Sequence, residues 1–176
     1  MSRPNVAFYR RMTLNVVDWS SPDAVMWAAR ISAPHYKIYS VQHMVDFLIQ
    51  LCSGGLWQRY IDKLCIVGHG NQTGQQIGAD WVDKGALSSH ATNLKRLRPH
   101  FCAGAEVTLE GCEVGHASSL MKELSNLLDG VPVRAGTAFQ RPLIPGLEGG
   151  VRTCVPNRCS YTGRRPFDAL DDAILR

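Results

Sequence analysis

Two short stretches decide the fold: Leu64-Cys65-Ile66-Val67-Gly68-His69-Gly70 and Val107-Thr108-Leu109-Glu110-Gly111-Cys112. Each is a brief, continuous apolar run halted by glycine. That pattern suits a strand buried on both faces of a parallel sheet. Around them, strand and helix signals alternate. Val6 to Val17 is rich in β-branched and aromatic residues and reads as one strand or two short ones. Ser20-Ser21-Pro22-Asp23 reads as a helix entry, followed by Ala24, Val25, Trp27, Ala28 and Ile31 at helical spacing. Tyr36 to Val41 predicts a short strand. Val41, Met44, Val45, Leu48 and Leu51 then share a helical face that Gly54-Gly55 ends.

Beyond His69 the chain turns polar and glycine-rich from Asn71 to Gly78. Leu94, Leu97 and Phe101 recur at helical spacing within Ser88 to Phe101, with Pro99 sitting awkwardly near the end. Ala117 to Leu128 is the clearest helix, and Asp129-Gly130 stops it ahead of a strand from Val131 to Ala135. Past Gln140 the sequence becomes rich in Pro, Gly and Arg, so residues 141–176 read as loop with a short helix from Pro166 to Leu175. Alternating strands and helices predict an α/β fold with right-handed crossovers, read as one domain over residues 1–176. In such sheets ligands gather at the carboxyl ends of the strands, where His69 and Cys112 lie.

Composition narrows the class further. The chain has 176 residues, 45% hydrophobic and 19% charged, enough to bury a core and unlike a disordered segment. A net charge of +4 without long basic runs suits a solvated basic face, and no nucleic-acid partner is expected. No stretch nears the ~18 apolar residues that cross a bilayer, and no membrane partner is expected. The first residues lack a signal-peptide core, which predicts a cytoplasmic location, with export by a signal-less route left open. Of six cysteines, several lie inside apolar segments and read as buried thiols. Cys154 and Cys159 suit either a small disulfide loop or two free thiols.

A cysteine nucleophile needs its thiolate form, which a nearby imidazole supports. Strands ending in Gly-His-Gly and Gly-Cys can bring Cys112 and His69 together although they are distant in sequence. Gly70 lets the backbone turn and offers an unhindered N–H, which with the Cys112 N–H can form an oxyanion site. Glu113, Asn71 and Gln72 are the neighbours placed to orient the imidazole. Asp80 and Asp83 are carboxylates that suit either a pocket for a basic side chain or a loop.

These two strand ends resemble the caspase-like group of cysteine peptidases, which includes caspases, gingipains, separase and legumain. The resemblance runs over residues 60 to 140, through the helix Ala117 to Leu128 and the strand Val131 to Ala135. Ile77-Gly78-Ala79-Asp80 and Glu110-Gly111-Cys112-Glu113-Val114-Gly115 are similar to stretches of bacterial caspase-like domains. The resemblance implies a three-layer α/β/α sandwich with a mostly parallel sheet. It implies Cys112 as nucleophile and His69 as acid/base, in an endopeptidase that cuts peptides or proteins without a cofactor. It also implies a substrate pocket at Ala135, Gly136 and Thr137, with Asp80 as a further candidate. Activity gated by a partner or a bound anion is a further expectation. The alternative is a catalytically inactive binding module on the same fold, with Arg141 to Arg165 as its contact surface.

Three other chemistries fit less well. Gly68 to Gly74 loosely matches a phosphate loop, but Gln75 to Trp81 is more strand-like than helical. No Walker loop or Gly-x-Ser-x-Gly elbow is present. Cys154-x4-Cys159 with His100-x-Cys102 or Cys112-x3-His116 lacks the paired spacing of a zinc site, and no metal is expected. His116 reads as a solvent-facing residue of a helix's first turn, and His35, His43 and His90 have no partner legible in the sequence.

Overall fold

A computed structural model describes residues 3–4, 10–24, 28, 34–54, 58–140 and 147–163. Its centre is the pair of strands that the sequence marks most clearly. Strand β3 (Tyr60–Val67) runs parallel to β6 (Phe101–Glu110), in a register that sets Leu64 beside Val107 and Val67 beside Glu110. Strand β1 (Arg11–Asp18) lies on the other side of β3, with Val17 opposite Val67, and β2 (His35–Ile38) lies beyond β1. Strand β7 (Val133–Gly136) extends the parallel sheet past β6. Two antiparallel strands, β8 (Val151–Val155) and β9 (Arg158–Thr162), complete the order β2-β1-β3-β6-β7-β8-β9. The class is α/β with a mostly parallel sheet, as expected.

Three helices form one layer over this sheet: α1 (Val41–Ser53), α2 (Leu87–Lys95) and α3 (Ser118–Leu127). They pack on one another in chain order. Helix α1 turns Val41, Met44, Val45, Leu48 and Cys52 inward, the spacing of a single buried stripe. These side chains join Leu14, Val16, Leu64, Ile66, Val107, Leu109, Val133 and Ala135 of the sheet in one core. On the opposite sheet face, Val17 and Val67 form a small second cluster with Trp19, Cys65 and Cys112. The step from β1 to β2 runs opposite to the later steps across the sheet. A right-handed crossover therefore puts the described part of the β1–β2 connection, helical at Ala24 and Ala28, on that second face. The arrangement is consistent with a three-layer α/β/α sandwich.

Several sequence expectations need correction. The helix expected from Ser88 to Phe101 stops at Lys95, and Phe101 begins β6. Pro99 sits in a 3-10 turn over Arg98–His100, and proline disfavours α geometry in the residue before it. Phe101 is buried as the first residue of a strand rather than the last of a helix. The stretch past Gln140 is not loop throughout, because β8 and β9 form a hairpin over a two-residue Pro156-Asn157 turn. Cys154 and Cys159 face each other across that hairpin and are joined in a disulfide. The expected N-terminal strand is Arg11–Asp18, and residues 5–9 lie outside the described residues, as does the helix expected at Pro166 to Leu175.

The polar stretch after His69 is a second hairpin, β4 (Gly74–Ile77) and β5 (Asp80–Asp83). Its turn docks on the start of α1. A Cβ on Gly78, which has φ +63°, would lie 2.1 Å from the Tyr39 carbonyl carbon, so only glycine fits that approach.

Candidate active site

Extending the β3–β6 register two residues past Val67 and Glu110 brings His69 level with Cys112. Two glycines keep the outgoing loops together. A Cβ built on Gly70 would lie 2.9 Å from the Gly111 Cα, and one on Gly111 would lie 3.0 Å from the Gly70 Cα. The loops thus touch backbone to backbone, closer than any side chain permits, with Val114 packed beneath both. Gly70 also bridges to Gln75. That bridge is closed by its neighbours, through Gln76 N–H to His69 O at 2.8 Å and Asn71 N–H to Gly74 O at 3.0 Å. The Gly70 N–H therefore points out of the β4 hairpin, as in any non-hydrogen-bonded antiparallel pair.

Cys112 is half-buried, with its side chain against the Val17–Val67 cluster. Its Sγ accepts the Gln140 N–H at 3.4 Å and lies 4.0 Å from the Gln140 carbonyl oxygen, to which the thiol donates. Two of the other thiols are held protonated. Burial pushes Cys52 up to about 11. Cys102 is raised by burial and then by its hydrogen bond to Asp62. The Cys65 thiol donates to Glu110 Oε1 at 3.2 Å.

His69 is positioned by residues the sequence reading had not singled out for it. Its Nε2 lies 3.0 Å from Asp23 Oδ2 and 3.1 Å from Ser21 Oγ, with both ring and carboxylate about 40% exposed. The turn that presents them is tied to the end of β1. The buried Asp18 carboxylate accepts the Ser20 N–H at 2.8 Å and the Ser20 hydroxyl at 2.6 Å. Ser21 Oγ then accepts the Asp23 N–H at 3.2 Å. With Nε2–H assigned as the donor to Asp23, Nδ1 becomes the basic nitrogen. From the sequence alone Ser20-Ser21-Pro22-Asp23 reads only as a helix start, because the place of β1 beside β3 is not legible there.

The residues expected to orient the imidazole do other work. Gln72 Nε2–H donates to Glu113 Oε1 at 3.1 Å, tying the histidine loop to the cysteine loop. Asn71 Oδ1 accepts from the Thr73 N–H, the Thr73 hydroxyl and the Gly74 N–H, folding its own loop. Glu113 itself takes a left-handed φ of 58°, which turns the chain just after Cys112.

The expected pocket residues are packed. Ala135 and Thr137 are buried, and a Cβ on Gly136 would meet Gln140 Nε2 at 2.6 Å and Glu148 O at 2.7 Å. The Thr137 hydroxyl donates to Gly150 O at 3.1 Å, and its carbonyl accepts from exposed His116 Nε2 at 3.0 Å. These residues buttress the segment that carries Gln140 to Cys112. Asp80 lies at the start of α1, where its carboxylate accepts the Val41 N–H at 2.7 Å. Asp83 likewise accepts the Ala86 N–H at 2.7 Å, just before α2. Phe139, 70% exposed next to Gln140, is an apolar side chain at the site's rim that the sequence reading passed over.

The rival chemistries lose their residues. Cys154 and Cys159 are bonded to each other, and among the described residues no three His, Cys, Asp or Glu side chains converge on a metal position. A hairpin rather than a helix follows Gly70, so that loop has no helix N-terminus for a pyrophosphate. Two histidines without a partner legible in the sequence have one in the fold: His35 stacks on Trp19 and His43 Nδ1 accepts the Tyr39 N–H at 3.3 Å.

The protein is thus an α/β fold with a thiol and an imidazole on touching loops at the carboxyl edge of its parallel sheet. Residues 16–138 match the family described as a domain of unknown function, DUF4347, and the chain belongs to that family. The match spans β1 to β7 and takes in Ser21, Asp23, His69, Cys112 and Thr137. No curated protein and no solved structure matches the chain. Among the described residues no helix is long and apolar enough to cross a membrane.

Proposed function

We propose that the chain is a caspase-like cysteine endopeptidase, with Cys112 as nucleophile and His69 as acid/base. The observation that carries this reading is the Gly70–Gly111 contact, which holds the two strand-end loops together at the sheet edge where ligands collect. The Cys112 thiolate attacks the scissile carbonyl carbon, forming a C–S bond and an oxyanion that the Gly70 and Cys112 N–H groups receive. The His69 imidazolium gives its proton to the leaving amine as the C–N bond breaks, leaving a thioester. Water then attacks the thioester, His69 takes its proton, and the C–S bond breaks to return the thiolate. Asp23 stabilises the imidazolium across this cycle through its 3.0 Å contact.

The substrate is a peptide or protein cut within its chain, and no cofactor takes part. We place the protein in the cytoplasm, where Cys112 stays reduced. The Cys154–Cys159 crosslink speaks for an oxidising compartment, so the redox state of that pair in cells decides the location.

One arrangement favours the second reading, a non-catalytic binding module. His69 Nε2 is engaged by Asp23 and Ser21, while Cys112 Sγ bonds to Gln140. Slow alkylation across pH 5 to 9, with modified cysteines mapped by mass spectrometry, separates the two. A peptidase labels fastest at Cys112, well below the ordinary thiol pKa of ~8.5, and loses that advantage in His69→Ala. Labelling of Cys112 that is slow and indifferent to His69 leaves the binding module standing. Cleavage of an unstructured protein by the wild type and not by Cys112→Ala completes the case.

A further inference from the structure

Away from the strand-end site, a groove of about 430 Å³ opens between α3 and the β8–β9 hairpin. Lys122 comes to it from α3, Arg152 from β8 and Arg158 from the tip of the hairpin. The register accounts for Arg152, which pairs with Tyr161 on the face of the hairpin that carries Cys154 into the core and that α3 covers. Arg158 instead pairs with Val155 on the other face and reaches the groove from the hairpin tip. Among the described residues no carboxylate lines the groove and none of the three cations forms an ion pair. Three other surface cations are neutralised, Arg134 and Lys63 by Glu106 and Arg96 by Asp46.

The remaining lining adds donors. Ser118 supplies a hydroxyl and Asn157 an amide, while the hydroxyls of Ser160 and Tyr161 are engaged by Thr153 O and Thr137 Oγ1. Ser118 opens α3, whose N-cap position, Ala117, provides no side-chain acceptor for the first turn. The positive end of that helix therefore adds to the field in the groove. Two guanidinium groups suit phosphate oxygens in particular, because their planar forks donate in pairs. The groove is open to solvent along its length, which suits a charged ligand that keeps part of its hydration.

From these features we infer that the groove binds a compact anion bearing two or more phosphate groups. Unpaired positive charges held together on a folded surface repel one another, and a polyanion relieves that repulsion while filling the donors. The inference is independent of the peptidase reading, since no residue of the groove belongs to that site.

Isothermal titration of the whole chain with tripolyphosphate, at fixed ionic strength, tests it. One site per chain with micromolar affinity is expected. Lys122→Gln and Arg152→Gln should each weaken binding at least tenfold, since a charge-assisted bond is worth about 1.5 to 3 kcal/mol and 1.4 kcal/mol is tenfold. Melting temperatures of the free variants should stay near wild type, because among the described residues the three cations form no ion pair that the substitutions would break. Flotation with phosphatidylcholine vesicles containing phosphatidylinositol bisphosphate tells a lipid headgroup from a free polyphosphate: flotation assigns the first source, and its absence with intact tripolyphosphate binding assigns the second. No heat of binding, or equal affinity in the Lys122→Gln/Arg152→Gln double variant, overturns the proposal.

Discussion

Gly70→Ala is the most searching perturbation of the proposed site, because it adds a single methyl group where two loops touch. The new Cβ would sit 2.4 Å from Val114 Cγ2 and 2.9 Å from the Gly111 Cα. Val114 can swing part of the way, but the second contact is with backbone. Carbon atoms pack at about 3.5 to 4.0 Å, so the histidine and cysteine loops must part by roughly 0.6 Å or more. Overpacking of this kind costs about 1 to 3 kcal/mol. For a chain of this size that lowers the melting temperature by several degrees, at about 2 to 4 °C per kcal/mol. The effect on chemistry is larger. A misplacement of about 1 Å costs on the order of 10²-fold, so a tenfold or greater loss in His69-dependent alkylation of Cys112 is expected.

The control is Gly130→Ala. Gly130 has φ +82° and nothing within 4 Å of its would-be Cβ, so the variant suffers only backbone strain, about 1 to 2 kcal/mol. It should match Gly70→Ala in stability loss and leave the pH profile of Cys112 labelling unchanged. Cys52, raised to about 11 by burial, serves as the silent internal standard in the same samples. If Gly70→Ala labels Cys112 with the wild-type profile, the two loops do not act together and the reasoning fails. Equal loss in Gly130→Ala would show that the assay reads stability alone.

Asp23→Asn keeps the size of the side chain and removes the charge 3.0 Å from His69 Nε2. Its Cys112 labelling should shift to higher pH without a change in melting temperature, and an unchanged pH profile would exclude Asp23 from the site. Asp80→Ala strips the carboxylate that accepts the Val41 N–H, and should cost about 1 kcal/mol by denaturant titration while leaving Cys112 reactivity untouched. A reactivity loss there would instead return Asp80 to the substrate pocket. Burial holds the His100 imidazole below its ordinary 6.5, so the unfolded chain binds the extra proton first. Stability should therefore be full above that value and fall as pH drops through it towards the depressed folded value, and His100→Gln should flatten this slope.

What the sequence disclosed followed from how local each signal was. Leu64 to Val67 and Val107 to Leu109 are buried on both faces, and glycines stop them cleanly, so strand identity and strand ends were both legible. The Ala117 to Leu128 stripe likewise depends only on residues within the helix. The Phe101 error came from a coincidence of spacing, since Leu94, Leu97 and Phe101 fit one helical face although Pro99 breaks the backbone between them. The β8–β9 hairpin stayed hidden because an edge hairpin carries polar residues at alternate positions. Arg152, Arg158 and Ser160 dilute the β-branched pattern that pairing with β7 makes sense of.

The partners of His69 were hidden for a different reason. Glu113, Asn71 and Gln72 are near it along the chain, whereas Ser21 and Asp23 come to it across the sheet. A side chain at one strand's carboxyl end has two neighbours in space, the strands on either side. For His69 at the end of β3 these are β6, which brings Cys112, and β1, which brings the Ser20 to Asp23 turn. The strand order β1-β3-β6 therefore predicts a three-part site, carboxylate, imidazole and thiol, with the histidine in the middle. That order cannot be read from a single sequence, because any parallel arrangement would satisfy the same strand patterns. Once it is known, the proposed roles follow from position: the central imidazole lies where it could exchange a proton with the thiol on one side while the carboxylate holds it from the other.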